Sequence, residues 1–371
     1  MLAPPWIPVP APGYGGIEEV VRLLCDGLVA NGHDVTLFAA PGSDSTADVH
    51  TLLKDCHPDE IERSCWEVDH VARGFAQVDA AVRAGRPYDV VHDHCGCAAI
   101  AMADRLQTPI VHTLHGPFDD PCRDFYATHA HKATIVAISH SQLEAAPPEL
   151  RDAAVVHNPL RFAEWQLEER PGDHVLWIGR MAPIKGPHRA IAAARDAGMP
   201  LVLAGPVQPG QEEFFAAEVE PHIDGEHVIY AGELGGEEKQ AAYRAAWAML
   251  MPIRWAEPFG MVIAESMACG TPVIAYREGA ARELIVDGVN GFLVDDEHEM
   301  AVAIARVGAI DRRRCRANAE ARFDVSTVVS AYERIYERAR NHTLRHAEGR
   351  EHWRPGARWG PPPRAPRAAR I

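Results

Sequence analysis

Short apolar runs alternate with amphipathic stretches along most of this chain. VTLFAA (35–40), DVVHDH (89–94), TPIVHTLHG (108–116), ATIVAIS (133–139) and AAVVHNP (153–159) read as buried strands. Near-continuous Val, Ile and Leu suits a parallel sheet covered on both faces, because a strand with one wet face would alternate instead. Ahead of them, IEEVVRLLCDGLVANG (17–32) carries apolar residues at helical spacing and stops at Asn31-Gly32, a C-cap signal. After a polar stretch, RFAEWQLEERPGD (161–173), the pattern restarts: HVLWIGR, MPLVLAG, EHVIYAG, AWAMLMP, TPVIAY and GFLVDD are six further strand candidates with helices between them. Alternation of this kind predicts an α/β chain of two doubly wound, Rossmann-like units, residues 1–160 and 173–324, joined by a linker over 161–172.

Both ends depart from this pattern. Only Met1 to Ala3 precede a Pro-rich turn, so the first strand is either short or preceded by residues outside the sequence given. Residues 341–371 are rich in Pro and Arg with few aliphatics and are expected to be disordered, since they bury too little to offset ordering entropy.

Composition narrows the function. At 371 residues, 47% apolar and 24% charged, the chain reads as a soluble globular protein of more than one domain. No apolar run reaches the roughly 18–20 residues that span a bilayer. The start lacks a basic segment followed by an apolar one, so a signal peptide is not expected and a cytoplasmic location is. A net charge of −15 argues against a nucleic-acid partner. Eight cysteines without a CxxC pair read as free thiols. Of 37 basic residues only four are lysine: Lys54, Lys132, Lys185 and Lys239.

The chemistry concentrates in residues 246–276. AWAMLMP is a strand ending at Pro252, IRWAEP a loop, and FGMVIAESMAC a helix closed by Gly270 and Pro272. Helices that start beyond the C-terminal edge of a parallel strand face the crevice where open α/β sheets bind ligands. Free N–H groups of Phe259, Gly260, Met261 and Val262 would suit a diphosphate there. Glu257 before the helix and Glu265 in its second turn are poor phosphate ligands but good acceptors for sugar hydroxyls. WIGRMAPIKG (177–186) adds Arg180 and Lys185, a bidentate fork and a point charge that complement a leaving diphosphate. The bland alternatives are a solvated face for the Glu pair, ordinary surface charges for Arg180 and Lys185, and a core role for His115. GYGGIEE (13–19) lacks the third glycine of a dinucleotide fingerprint. HDHCGC (92–97) offers His92, His94, Cys95 and Cys97 to a metal, with only partial ligation conceivable on a strand end.

Gly15-Gly16 with Glu18, HTLHG (112–116), VVHNP (155–159), GR-x4-KG (179–186) and Glu257-x7-Glu265 within EPFG…ACGTPVIA together resemble the retaining GT-B glycosyltransferases of family 4. The resemblance implies two Rossmann-like domains facing a cleft, with a C-terminal helix, here residues 325–340, returning to the N-terminal domain. It implies transfer of a sugar from a nucleoside diphosphate donor, UDP- or GDP-linked, to a carbohydrate or small-molecule acceptor with retained anomeric configuration. In such a site Gly15 and Gly16 approach the donor phosphates and His115 touches the transferred sugar. Arg180 and Lys185 neutralise the diphosphate, Glu257 lies by the sugar, and Glu265 binds the ribose. No cofactor, metal or stable membrane insertion is implied. The MPIRWAEPFG loop departs from the usual approach, which leaves the donor sugar open. Alternatives are a GT-B epimerase, a phosphorylase, which needs a pyridoxal phosphate lysine, and an inactive nucleotide-sugar binding module. The acceptor is not readable, although the lack of a basic amphipathic helix in the first domain disfavours a lipid-linked one.

Overall fold

The computed structural model describes residues 1–351 except Tyr14 and Glu62, with side chains to residue 341. The N-terminal strands are β1 (Thr36–Ala39), β2 (Asp48–Thr51), β3 (Val91–Asp93), β4 (Ile110–Thr113), β5 (Thr134–Ala137) and β6 (Ala154–Val155). Leu2 forms parallel bridges to both Phe38 and Asp93, so the segment at Leu2 joins β1 to β3. The parallel order is therefore β2, β1, Leu2, β3, β4, β5, β6. Strand β2 was not anticipated: DVHT is short and largely exposed, and lacks the apolar run that marks the others. The accompanying helices are α1 (Gly16–Ala30), α2 (Ser64–Arg83), α3 (Cys97–Ala101), α4 (Asp120–His129) and α5 (His140–Glu144). Helix α1 ends where its C-cap signal lies, with Gly32 at φ +90°.

All six C-terminal strand candidates form: β7 (Val175–Ile178), β8 (Leu201–Ala204), β9 (Val228–Tyr230), β10 (Ala248–Met251), β11 (Val273–Tyr276) and β12 (Gly291–Val294). They pair in the parallel order β9, β8, β7, β10, β11, β12, the doubly wound arrangement with its direction of winding reversed between β7 and β10. Their helices are α6 (Pro187–Asp196), α7 (Glu212–Glu218), α8 (Gly236–Ala245), α9 (Met261–Ala268), α10 (Ala281–Leu284), α11 (Glu297–Arg306), α12 (Arg312–Phe323) and α13 (Val325–Glu351). This half is built on one continuous core that includes Trp177, Met249, Ile263 and Ile274. Apolar packing in the other half is divided among smaller clusters.

The chain crosses between the halves twice, and the crossings lie side by side. Leu160 N–H donates to Phe323 O at 2.8 Å and Leu160 O accepts from Val325 N–H at 3.0 Å. The polar segment read as a linker is anchored: Phe162 is fully buried, and Arg316 donates to the carbonyls of Phe162 and Trp165. Helix α13 then packs Val328, Val329, Tyr332 and Ile335 against Val20, Leu24 and Leu28 of α1 and against the N-terminal sheet. It runs to Glu351, not to residue 340, so the stretch expected to be disordered from 341 begins as helix. The Pro/Arg-rich residues 352–371 lie outside the described residues.

Candidate active site

The reversal of winding between β7 and β10 opens a crevice, and the loops leaving both strands meet over it. The two loops are tied together: Arg254 N–H donates to Ile184 O at 3.0 Å, and Arg189 Nε donates to Pro252 O at 2.8 Å. Trp177 Nε1 holds the Lys185 carbonyl at 3.2 Å. With its backbone so placed, Lys185 forms an ion pair with Glu257 and lies 4.9 Å from the Trp255 ring centroid. Glu257 is held by its own main chain, its carbonyl accepting from Ala280 N–H at 3.0 Å. Gly279 allows that approach, since it sits at φ +51° and a Cβ there would lie 2.4 Å from Glu257 N.

Helix α9 starts two residues later than its sequence suggests. Phe259 is 2% exposed and turns into the core, edge-on to Phe323 at 5.7 Å. Gly260 follows at φ +83°, a left-handed conformation suited to glycine, and Ile263 N–H closes the first turn onto Gly260 O at 3.0 Å. Helical amides therefore begin at Met261 and Val262, while Phe259 and Gly260 shape the entrance. In the second turn Glu265 is 8% exposed and accepts from Lys239 Nζ at 2.7 Å and Tyr243 OH at 2.9 Å. Arg180 Nη1 donates to Gln208 Oε1 at 3.1 Å. Its Nε is buried without a hydrogen-bond partner among the described residues.

Across the cleft stands the N-terminal domain. Gly15 caps α1 in an extended conformation, and a Cβ there would meet Ala11 at 2.3 Å, whereas one at Gly16 would meet nothing within 4 Å. His115 follows β4, with its Nε2 2.9 Å from His94 Nδ1 and the two rings stacked. Burial, then the neighbouring His112, pulls the His115 pKa down to about 3, so the ring is neutral at pH 7. Burial also lowers His92 and His94. His92 bonds Tyr336 OH at 2.7 Å and Thr113 Oγ1 at 2.8 Å, and Thr113 bonds Tyr332 OH at 2.9 Å, so α13 is wired to the histidines behind the site. The HDHCGC cluster thus diverges to protein partners, with Cys95 Sγ turned to Ala3 O at 3.4 Å. Among the described residues no three His, Cys, Asp or Glu side chains are grouped to hold a metal.

One cavity of about 860 Å³ lies between these walls. Gly15, Gly16 and His115 line it from the N-terminal side, and Arg180, Lys185, Glu257, Phe259, Gly260, Met261, Val262 and Glu265 from the C-terminal side. Every donor-site candidate from the sequence lines this one space, whereas His92 of the HDHCGC motif does not.

Two family models tile the chain: Glycosyltransferase Family 4 over residues 14–169 and Glycosyl transferases group 1 over 164–322. The chain belongs to the group 1 glycosyl transferases. A glycogen synthase of Mycobacterium tuberculosis is 27% identical, over 87% of this chain and 91% of the relative. A D-inositol 3-phosphate glycosyltransferase of Pseudarthrobacter chlorophenolicus is 26% identical, over 78% and 81%. Among solved structures, AviGT4, a glycosyltransferase involved in avilamycin A biosynthesis, superposes with a TM-score of 0.68 at 26% identity, covering 92% of this chain and 97% of that one. The two parallel-sheet domains form the GT-B fold.

Within this glycosyltransferase, sequence reasoning overlooked the partners of its own candidates. Lys239 and Tyr243 stand one turn apart on α8 and grip both oxygens of Glu265. The available signal was a rare lysine four residues before a tyrosine on an otherwise polar helix. Gln208, which orients Arg180, and Glu67, which lines the N-terminal wall, had no local signal, because each reaches its place only through the fold.

Proposed function

We propose that this glycosyltransferase moves a hexose from a UDP- or GDP-linked donor to an acceptor hydroxyl with retention of anomeric configuration. The observation that carries the reading is the convergence of Arg180, Lys185 and the start of α9 on one crevice, beside Glu257 and Glu265 and facing His115. The diphosphate would lie over the α9 amides and the two cations, which meet the charge that grows on it as the C1–O bond breaks. A phosphate competing for Lys185 would loosen the Lys185–Glu257 pair and leave that carboxylate to the sugar hydroxyls. Glu265, oriented by Lys239 and Tyr243, retains lone pairs for ribose hydroxyls. The acceptor oxygen forms its bond to C1 on the face the diphosphate leaves, and its proton passes to a departing phosphate oxygen. Glu257 acts in positioning and electrostatics, not as a covalent nucleophile. Cleft closure excludes water and so protects the donor from hydrolysis.

Titration calorimetry of the full chain with UDP and with GDP tests the donor site. One nucleotide is expected to bind, and Lys185→Ala to weaken it at least tenfold. Failure of both nucleotides to bind, or binding indifferent to that substitution, overturns the assignment. Proton NMR of the first-formed product reads the anomeric configuration, and an inverted product would reject retention.

A further inference from the structure

The two walls of the cavity differ in sign. Its lining cations, Arg180, Lys185 and Lys239, all come from the C-terminal domain. Each already holds a group of that domain: Gln208, Glu257 and Glu265 respectively. The described lining residues of the N-terminal domain include no lysine or arginine, and their carboxylates are Glu18, Glu19 and Glu67. Arg22, the nearest guanidinium in sequence, is engaged by Glu19, Asp26 and Glu164 and does not line the cavity.

Of the helix N-termini on this wall, that of α1 at Gly15-Gly16 carries no side-chain cap and falls to the donor phosphates, and two others are already occupied. Glu67 Oε1 accepts from Ala98 N–H at 3.3 Å at the start of α3, and Asp119 Oδ1 accepts from Cys122 N–H at 2.9 Å at the start of α4. The chain's own carboxylates thus occupy places where an acceptor anion could have bound. Burial raises the pKa values of Glu18 and Glu67, and a further negative charge nearby would add to that cost. The same cavity is lined by Trp6 and Phe118, and by His94, 2% exposed, whose Nε2 has no hydrogen-bond partner among the described residues.

We infer that the acceptor is a hydroxyl compound without phosphate or carboxylate, its ring face laid on Trp6 and Phe118 and its hydroxyls donated to Glu18 and Glu67. This rests on the donor reading above, which assigns the cationic wall to the nucleotide. Carboxylates take hydroxyl protons well and repel a phosphate dianion, so the same groups select one acceptor class and reject the other. The acceptor class then differs from the phosphorylated one in the name of the D-inositol 3-phosphate glycosyltransferase relative.

The test uses the full chain saturated with UDP, which fills the cationic wall, titrated calorimetrically with D-inositol 3-phosphate and with myo-inositol at equal ionic strength. The phosphorylated probe is expected to bind at least tenfold more weakly than the neutral one, or not at all. Glu67→Lys, with UDP affinity retained as the sign of a folded chain, is expected to raise affinity for the phosphorylated probe at least tenfold. If Glu67→Lys loses UDP binding, Glu67→Gln replaces it, with a relative gain of at least threefold for the phosphorylated probe. Tighter binding of the phosphorylated probe to the unsubstituted chain overturns the inference, as does a folded Glu67 variant that leaves the ratio unchanged. Failure of UDP itself to bind rejects the donor reading instead, and the acceptor inference with it.

Discussion

The two domains share a winding order and present opposite chemistry to the cleft between them. On the C-terminal side, loops after β7 and β10 bring Arg180 and Lys185 beside the α9 amides, and a single continuous core lies directly beneath. On the N-terminal side, the first turns of α1 and α2 bring carboxylates, and loops after the Leu2 bridge, β3 and β4 bring aromatic rings and neutral histidines, over a core broken into smaller clusters. The topology therefore sets where a ligand sits, and the loops after the strands decide which ligand it is. The divided core has the same origin. His92, Asp93, His94, His112 and Thr113 are all buried along the C-terminal ends of β3 and β4, and hydrogen bonds replace apolar contact there. Apart from His94 Nε2, this polar network is hydrogen-bonded and holds its side chains rigidly, but it carries more risk than an apolar core if one member changes charge.

Removing the cations on the C-terminal wall should have the largest effect. Arg180→Ala and Lys185→Ala are each expected to lower kcat by about 10²–10³, or about 2.7–4 kcal/mol, as read from nucleotide release. A loss below fivefold for both would dissolve the contrast between the walls.

Acid should single out the N-terminal domain. His70 is lowered to about 4 and His115 to about 3, in both cases chiefly by burial, whereas an unfolded histidine titrates near 6.5. The folded pKa values are depressed, so the unfolded chain takes up the protons first. Stability is complete above about 6.5 and falls as pH drops toward the folded values. Each such group costs about 2 kcal/mol by pH 5. Thermal melts should show Tm falling between pH 7 and pH 5, with limited proteolysis cutting the N-terminal half first. Cleavage starting in the C-terminal half would contradict this.

Lys239→Met tests the smallest expected effect. Loss of the charged hydrogen bond that orients Glu265 should weaken nucleotide binding about tenfold, or about 1.4 kcal/mol, with kcat changed less than twofold. An equal fall in kcat would mean that Lys239 acts on the reacting end of the donor.

Much of this was legible along the chain. Apolar runs marked eleven of the twelve strands as buried parallel strands, since a doubly covered strand needs no polar face. The departures have physical reasons. Asp48–Thr51 is an edge strand with mostly exposed side chains, and Ala154–Val155 is only two residues of its longer apolar run. The start of α9 was misplaced because Phe259 fits a helix in sequence, while in space its ring is drawn against Phe323, which is distant in sequence. The helix from Val325 reads beyond residue 340 as a polar, Arg-rich tail, yet its backbone stays helical to Glu351.

Residue spacing determined the α/β class, most strand positions and the strand-to-helix loops, and picked out Arg180, Lys185, Glu257 and Glu265 as candidates, whereas the strand order came only with the fold. What spacing determined depends on local periodicity and on short stretches of chain that must turn at strand ends. Tertiary structure decided what each of those groups touches: Glu257 on Lys185, Glu265 between Lys239 and Tyr243, His115 on His94, and Glu67 across α3. Charge, burial and pKa are properties of neighbours that the fold brings together from far apart in the chain, and no local pattern carries them.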